Sequence, residues 1–95
     1  MINYSFKKTA KQSLEEMEKN VTEDIIEALE GLSTQGFQHE KVKLIQDRSG
    51  DWLYRLKVVG DGANHRVFLD YAEDEIKVLD IMHRNQAYEG KYGSQ

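Results

Sequence analysis

Ile2, Tyr4 and Phe6 alternate with Asn3 and Ser5, the period of a short, half-buried strand. From Lys7 the period changes. Ala10, Leu14, Met17 and Val21 recur at spacings of four, three and four, which lays them along one face of a helix. The Asn20-Val21-Thr22 stretch is predicted to break that helix, with Thr22 as N-cap of a second one and Glu23 and Asp24 near its positive end. Ile25, Ile26, Leu29 and Leu32 form the second apolar stripe, and Gly36 is the better candidate for the residue that closes it. Two helices joined by a tight break make an α-hairpin whose stripes need a surface to cover.

The second half supplies that surface. Val42–Ile45 reads as a short strand, Asp47-Arg-Ser-Gly50 as a turn, and Trp52–Val59 as the strongest strand in the chain. Gly60-Asp-Gly-Ala63 is a glycine-rich hairpin loop, too short for a phosphate loop. His65–Tyr71 returns, Glu73-Asp-Glu75 turns again, and Ile76–Met82 makes a third long strand. The order β-α-α-β-β-β-β predicts an α+β fold, with the N-terminal strand and α-hairpin packed on one face of an antiparallel sheet.

Strand alternation then sorts the side chains. Trp52, Tyr54, Leu56 and Val58 point one way, and Leu53, Arg55, Lys57 and Val59 the other. Arg55 and Lys57 are thus neighbours on one face, roughly 7 Å apart. If Val67 and Leu69 lie under the helices with Leu56 and Val58, Arg66 joins Arg55 and Lys57 on the open face, within reach of Arg84 and Tyr88. Trp52 is expected in the core.

Composition narrows what such a face can do. Ninety-five residues with 39% hydrophobic and 32% charged content make a single folded domain, residues 1–95. There is no cysteine, which excludes disulfides, zinc–thiolate sites and thiol catalysis. No basic stretch followed by an apolar run opens the chain, and no stretch is long enough to span a membrane, so a cytoplasmic protein is expected. A net charge of −4 argues against a broad, non-specific nucleic-acid binder. The charge is unevenly spread, however. Residues 42–95 carry eight Lys or Arg against nine acids, and the acids fall mainly in turns while Arg55, Lys57 and Arg66 lie inside strands.

Cations inside otherwise apolar strands are costly to desolvate unless they meet an anion, and a phosphate is the obvious candidate. Tyr88, four residues beyond Arg84, adds a group able to give or take a proton, and His83 is a possible auxiliary acid or base. Each side chain also has a plain structural reading. Arg55 and Lys57 could be solvated charges, Arg66 could pair with Asp70 or Glu75, and Tyr88 could be a packing aromatic at a strand exit. Trp52 and Phe68 could stack bases. His39 and His65 have no clustered ligands nearby, so neither a metal nor another cofactor is expected.

Taken together in this order, the first strand, the α-hairpin, Tyr54-Arg-Leu-Lys57, His65-Arg-Val-Phe-Leu-Asp-Tyr71, and Val78-Leu-Asp-Ile-Met-His-Arg84 followed by Tyr88 resemble the RelE/ParE superfamily of type II toxin–antitoxin toxins. The resemblance implies a toxin held by a protein antitoxin. In the RelE branch it implies a ribosome-dependent endonuclease that cuts mRNA in the ribosomal A site. By position it assigns Arg55, Lys57, Arg66, Arg84 and Tyr88 to the catalytic site, the four cations also to RNA binding. Filling all five favours the RelE branch over the ParE branch, which poisons DNA gyrase; an inactive, antitoxin-binding relative is a third reading. The chemistry such a site implies is metal-independent. The RNA 2′-OH is the nucleophile, so the protein supplies a base, an acid and charge for the phosphorane.

Overall fold

The computed structural model describes residues 1–93, the side chain of Tyr88 excepted. Its elements are β1 (Asn3–Phe6), α1 (Lys8–Glu15), α2 (Lys19–Gln35), β2 (Val42–Gln46), β3 (Trp52–Lys57), a 3₁₀ turn (Gly60–Gly62), β4 (His65–Ala72), β5 (Glu75–His83) and α3 (Arg84–Glu89). The sheet order is β1-β5-β4-β3-β2. Strands β2 to β5 form the expected antiparallel meander. The sheet as a whole is mixed, not antiparallel, because β1 lies parallel to β5, with Tyr4 opposite Ile76 and Phe6 opposite Val78. The α-hairpin returns the chain across one face, so the first strand and the last can run in the same direction.

The helical break falls earlier than Thr22. Glu18 is the N-cap of α2, and the Thr22 hydroxyl instead donates to the carbonyl of Leu14 in the last turn of α1, which also accepts from the Met17 N–H. Asn20 to Thr22 therefore belong to the first turn of α2. Its end is as expected: Gly36 has φ +78° and donates its N–H to Leu32.

The main core lies between the helices and one sheet face. Ala10, Ile25, Leu29 and Leu32 meet Leu56, Val58, Val67, Leu69, Ile76, Val78 and Ile81. Buried Ser33 ties α2 to β1, its hydroxyl donating to the Ile2 carbonyl while the Ile2 N–H donates to the Ser33 carbonyl. The 3₁₀ turn is pinned to α2 by Asp24, whose carboxylate accepts from the N–H groups of Asp61 (2.7 Å) and Gly62 (3.2 Å). Trp52 departs from expectation. It is 63% exposed, opposite Gln46 on the edge strand β2, outside the packed cluster.

A second, smaller core occupies the face expected to be open. Ile45, Leu53 and Phe68 point away from the helices, and Ala87 and Tyr92 close over them. Two adjustments make this possible. An extra residue in β5, opposite the Phe68–Leu69 step, turns Leu79 as well as Asp80 toward this face. The chain beyond β5 then forms α3, absent from the sequence-based outline, instead of leaving the sheet as a loop.

Candidate functional site

Register decides which cations meet. Lys43 is opposite Arg55, and Arg55 is opposite Phe68, in one row across β2, β3 and β4. In the next row Lys57 is opposite Arg66, and Arg66 is opposite Met82 of β5. Arg55, Lys57 and Arg66 thus share the face turned away from α1 and α2, as alternation predicts. Lys43 belongs to the same group, although the sequence reading did not single it out. Its signal was one of pairing: alternation places it with Ile45, but only the β2–β3 register sets it beside Arg55.

This face is divided. Its end near the β2–β3 turn is the small core closed by Tyr92, and its other end carries the cations. Phe68 is buried beneath Tyr92, with the two rings stacked at 3.8 Å and an interplanar angle of 5°, so it offers no platform to a base.

Arg66 is only 8% exposed, and its Nη1 donates to the carbonyls of Ala63 (2.9 Å) and His65 (3.1 Å). It does not pair with Asp70 or Glu75. The Asp70 carboxylate accepts from the Tyr71 N–H, and Glu75 accepts from the Ser5 hydroxyl. The buried Nε atoms of Arg55 and Arg66 have no hydrogen-bond partner among the described residues. Among the described residues the one ion pair within 4.0 Å is Lys19–Glu23, on the surface of α2. In a chain with 17 acids against 13 Lys and Arg, the cations of this face are left without a carboxylate partner among the described residues. Unpaired donors at a half-dry face cost stability, and an anion accepting from them would return it.

Arg84 is the first residue of α3, exposed, with its N–H donating to the Asn64 carbonyl at 2.7 Å. That bond ties the end of β5 to the loop before β4. Arg84 therefore stands just beyond Met82, the cross-strand partner of Arg66. Tyr88 follows one helical turn later in α3, and its side chain lies outside the described residues.

His83 is on the other side. It pairs with His65, on the face of Val67 and Ile81, and the two rings meet edge to face at 5.7 Å. Its Nδ1 accepts from the Asn85 N–H, which makes it the N-cap of α3. Burial, and then the neighbouring His83, lower the pKa of His65. Lys57 also borders a cavity of about 640 Å³ beside α2, into which Asp24, Glu27, Glu30 and Glu40 bring negative charge. The strand end that carries Lys57 thus lies between a cationic face and an acidic groove.

With this geometry in place, the likeness to solved structures is informative. A chain of the archaeal RelE–RelB complex from Pyrococcus horikoshii OT3 superposes with a TM-score of 0.69 at 22% identity, covering 90% of this chain and 98% of that one. The fold is that of the RelE-like toxins. A chain of the RelBE2 toxin–antitoxin complex from Mycobacterium tuberculosis gives 0.68 at 16% identity, covering 87% and 98%. One from the YoeB–YefM complex of Staphylococcus aureus gives 0.66 at 16%, covering 87% and 97%. No protein-family model matches the sequence, and no curated protein is similar to it. The RelE-like fold is thus carried by a sequence far from those of its structural neighbours.

Proposed function

We propose that this chain is the toxin of a type II toxin–antitoxin pair, a metal-independent endoribonuclease that cuts mRNA in the ribosomal A site. One observation carries the reading. Lys43, Arg55, Lys57 and Arg66 share a sheet face without carboxylate partners among the described residues, next to the helix that begins at Arg84. A scissile phosphate has the charge those groups lack. The cations stabilise the negative charge that grows on the phosphorane, where binding energy lowers the barrier most. Tyr88, on the helix that Arg84 opens, takes the 2′-OH proton as the 2′-oxygen bonds to phosphorus; the bond from phosphorus to the 5′-oxygen breaks, that oxygen leaves with a proton from water, and a 2′,3′-cyclic phosphate remains. DNA is refused because it has no such hydroxyl. The RelE-like structural neighbours, each solved in a toxin–antitoxin complex, support an antitoxin as protein partner. Exposed Leu44 and Trp52 provide apolar surface for it, so that binding should weaken only modestly with salt.

The test is primer extension on a translated message, with wild type and Arg84→Ala side by side. Wild type should leave cuts within codons, and Arg84→Ala should lose about a hundredfold or more in rate, as for a lost preorganised charge. Tyr88→Phe should lose roughly a hundred- to ten-thousandfold. Free RNA should be cut poorly, because a net-negative domain makes few phosphate contacts. Identical patterns from both proteins, or arrested growth without any cut, would move the assignment to the gyrase-poisoning ParE branch.

A further inference from the structure

Tyr92 lies four residues beyond Tyr88 in sequence and is 1% exposed, among the most completely buried large side chains described. Its ring lies flat on Phe68 of β4, and its hydroxyl donates to Asp80 of β5. Two backbone bonds hold the same segment: the Arg48 N–H donates to the Lys91 carbonyl at 2.9 Å, and the Gly90 N–H to the Gln86 carbonyl at 3.1 Å. Ala87, between Arg84 and Tyr92, is buried in the same cluster. α3 is only six residues long, too short to be stable by itself. Its position on the sheet is set by what it is fastened to. At its start that is His83 and the Arg84–Asn64 bond; at its far end it is Tyr92.

We infer that Tyr92 is a positioning residue for the candidate site: by clamping the chain after α3 onto Phe68 and Asp80, it fixes the helix that carries Arg84 and Tyr88 against the cationic face. The ring is the principal part of the clamp. The burial and stacking of an aromatic ring hold more than one hydroxyl does. The hydroxyl sets the ring's direction and satisfies Asp80, which stands opposite Phe68 on the face that Arg55 and Arg66 share. Burial, the hydrogen bond to Asp80 and the charges of Asp80 and Asp47 all keep this phenol protonated, so that it remains a donor through the neutral range. A catalytic group displaced by about 1 Å loses on the order of a hundredfold in rate, even when the displaced anchor never touches substrate.

The inference rests on the nuclease reading, and two measurements keep them separate. Amide hydrogen exchange is followed in wild type, Tyr92→Phe and Tyr92→Leu, comparing Arg48 and Gly90 with the amides of β4 and β5. In Tyr92→Leu the Arg48 and Gly90 amides should exchange at least about tenfold faster while the β4 and β5 amides keep their rates, the pattern of local opening. In Tyr92→Phe, which keeps the stack, they should stay close to wild type. On programmed ribosomes, single-turnover cleavage by Tyr92→Leu should fall about a hundredfold with KM little changed, and Tyr92→Phe should retain most of the rate. Unchanged exchange at Arg48 and Gly90 in Tyr92→Leu overturns the clamp. Equal acceleration in β4 and β5 also overturns it, by making Tyr92 a part of the global core. A freed segment with an unchanged cleavage rate overturns the positioning role. If wild type cuts no RNA on ribosomes, the nuclease reading fails and the positioning role with it, while exchange still decides the clamp.

Discussion

Lys57 and Arg66 are direct cross-strand partners in the β3–β4 ladder, two like charges set opposite each other on one sheet face. Like charges in that relation destabilise a sheet, and no carboxylate among the described residues comes within ion-pair distance of either to offset it. A fold selected for stability alone would put an acid at one of these positions. A double-mutant cycle of Lys57→Ala and Arg66→Ala, read by urea unfolding, should therefore show a repulsive coupling of about 0.2–1 kcal/mol that shrinks with added salt. A coupling near zero would mean that the two side chains find separate partners, and an attractive one that they share an anion.

Lys43 extends the same face without sitting at its centre. In the proposed reaction it should act as a backbone-phosphate contact. Lys43→Ala is expected to raise KM for programmed ribosomes and to reduce the salt slope of binding by about one, with little change in the single-turnover rate. A large fall in the rate itself would make Lys43 part of the reacting centre.

The packing of the 3₁₀ turn on α2 gives a stability test far from the site. Gly60 has φ +85°, and a Cβ there would lie 2.8 Å from Asp24 Oδ2. Gly60→Ala should cost about 1–3 kcal/mol from backbone strain, and more from the contact unless Asp24 moves. Asp24→Ala removes the acceptor of two N–H groups and should cost about 1 kcal/mol. The double variant should lose less than the two single losses together, since the methyl added at position 60 would no longer meet the carboxylate. Urea unfolding of all three checks this.

Acidification should weaken the fold through His65. Burial first, and then the charge of His83, hold its pKa below the ordinary value of about 6.5. The unfolded chain then binds the proton more readily than the native one. The contribution is intact above about pH 6.5 and is lost as pH falls through the lowered native value. Unfolding midpoints measured from neutral to mildly acid pH should fall, and His65→Phe should flatten that part of the curve. An unchanged slope in the variant would assign the effect elsewhere.

Much of the scaffold was legible from period alone. The switch from alternation to helical spacing after Phe6, and back at Val42, sets out the order of elements, because burial of one face imposes that period on any soluble strand or helix. Alternation also assigns Arg55, Lys57 and Arg66 to one face, since a side chain's face follows from its place in its own strand. The helix break lies earlier than the capping pattern places it because Thr22 serves a carbonyl of α1, a partner eight residues away that no local capping rule includes.

The sequence by itself determined the α+β character, the helix-covered core and the chemistry available at the candidate site, all properties carried by local spacing and residue type. Only the tertiary structure decided that β1 runs parallel to β5, that Lys43 stands beside Arg55, and that Arg66 has no acid to pair with among the described residues. It also decided that half of the face expected to be open is closed by Tyr92 on Phe68. These are contacts between segments distant in sequence. They are set by strand register and by which surface the end of the chain can bury, and neither leaves a periodic trace in the residues themselves.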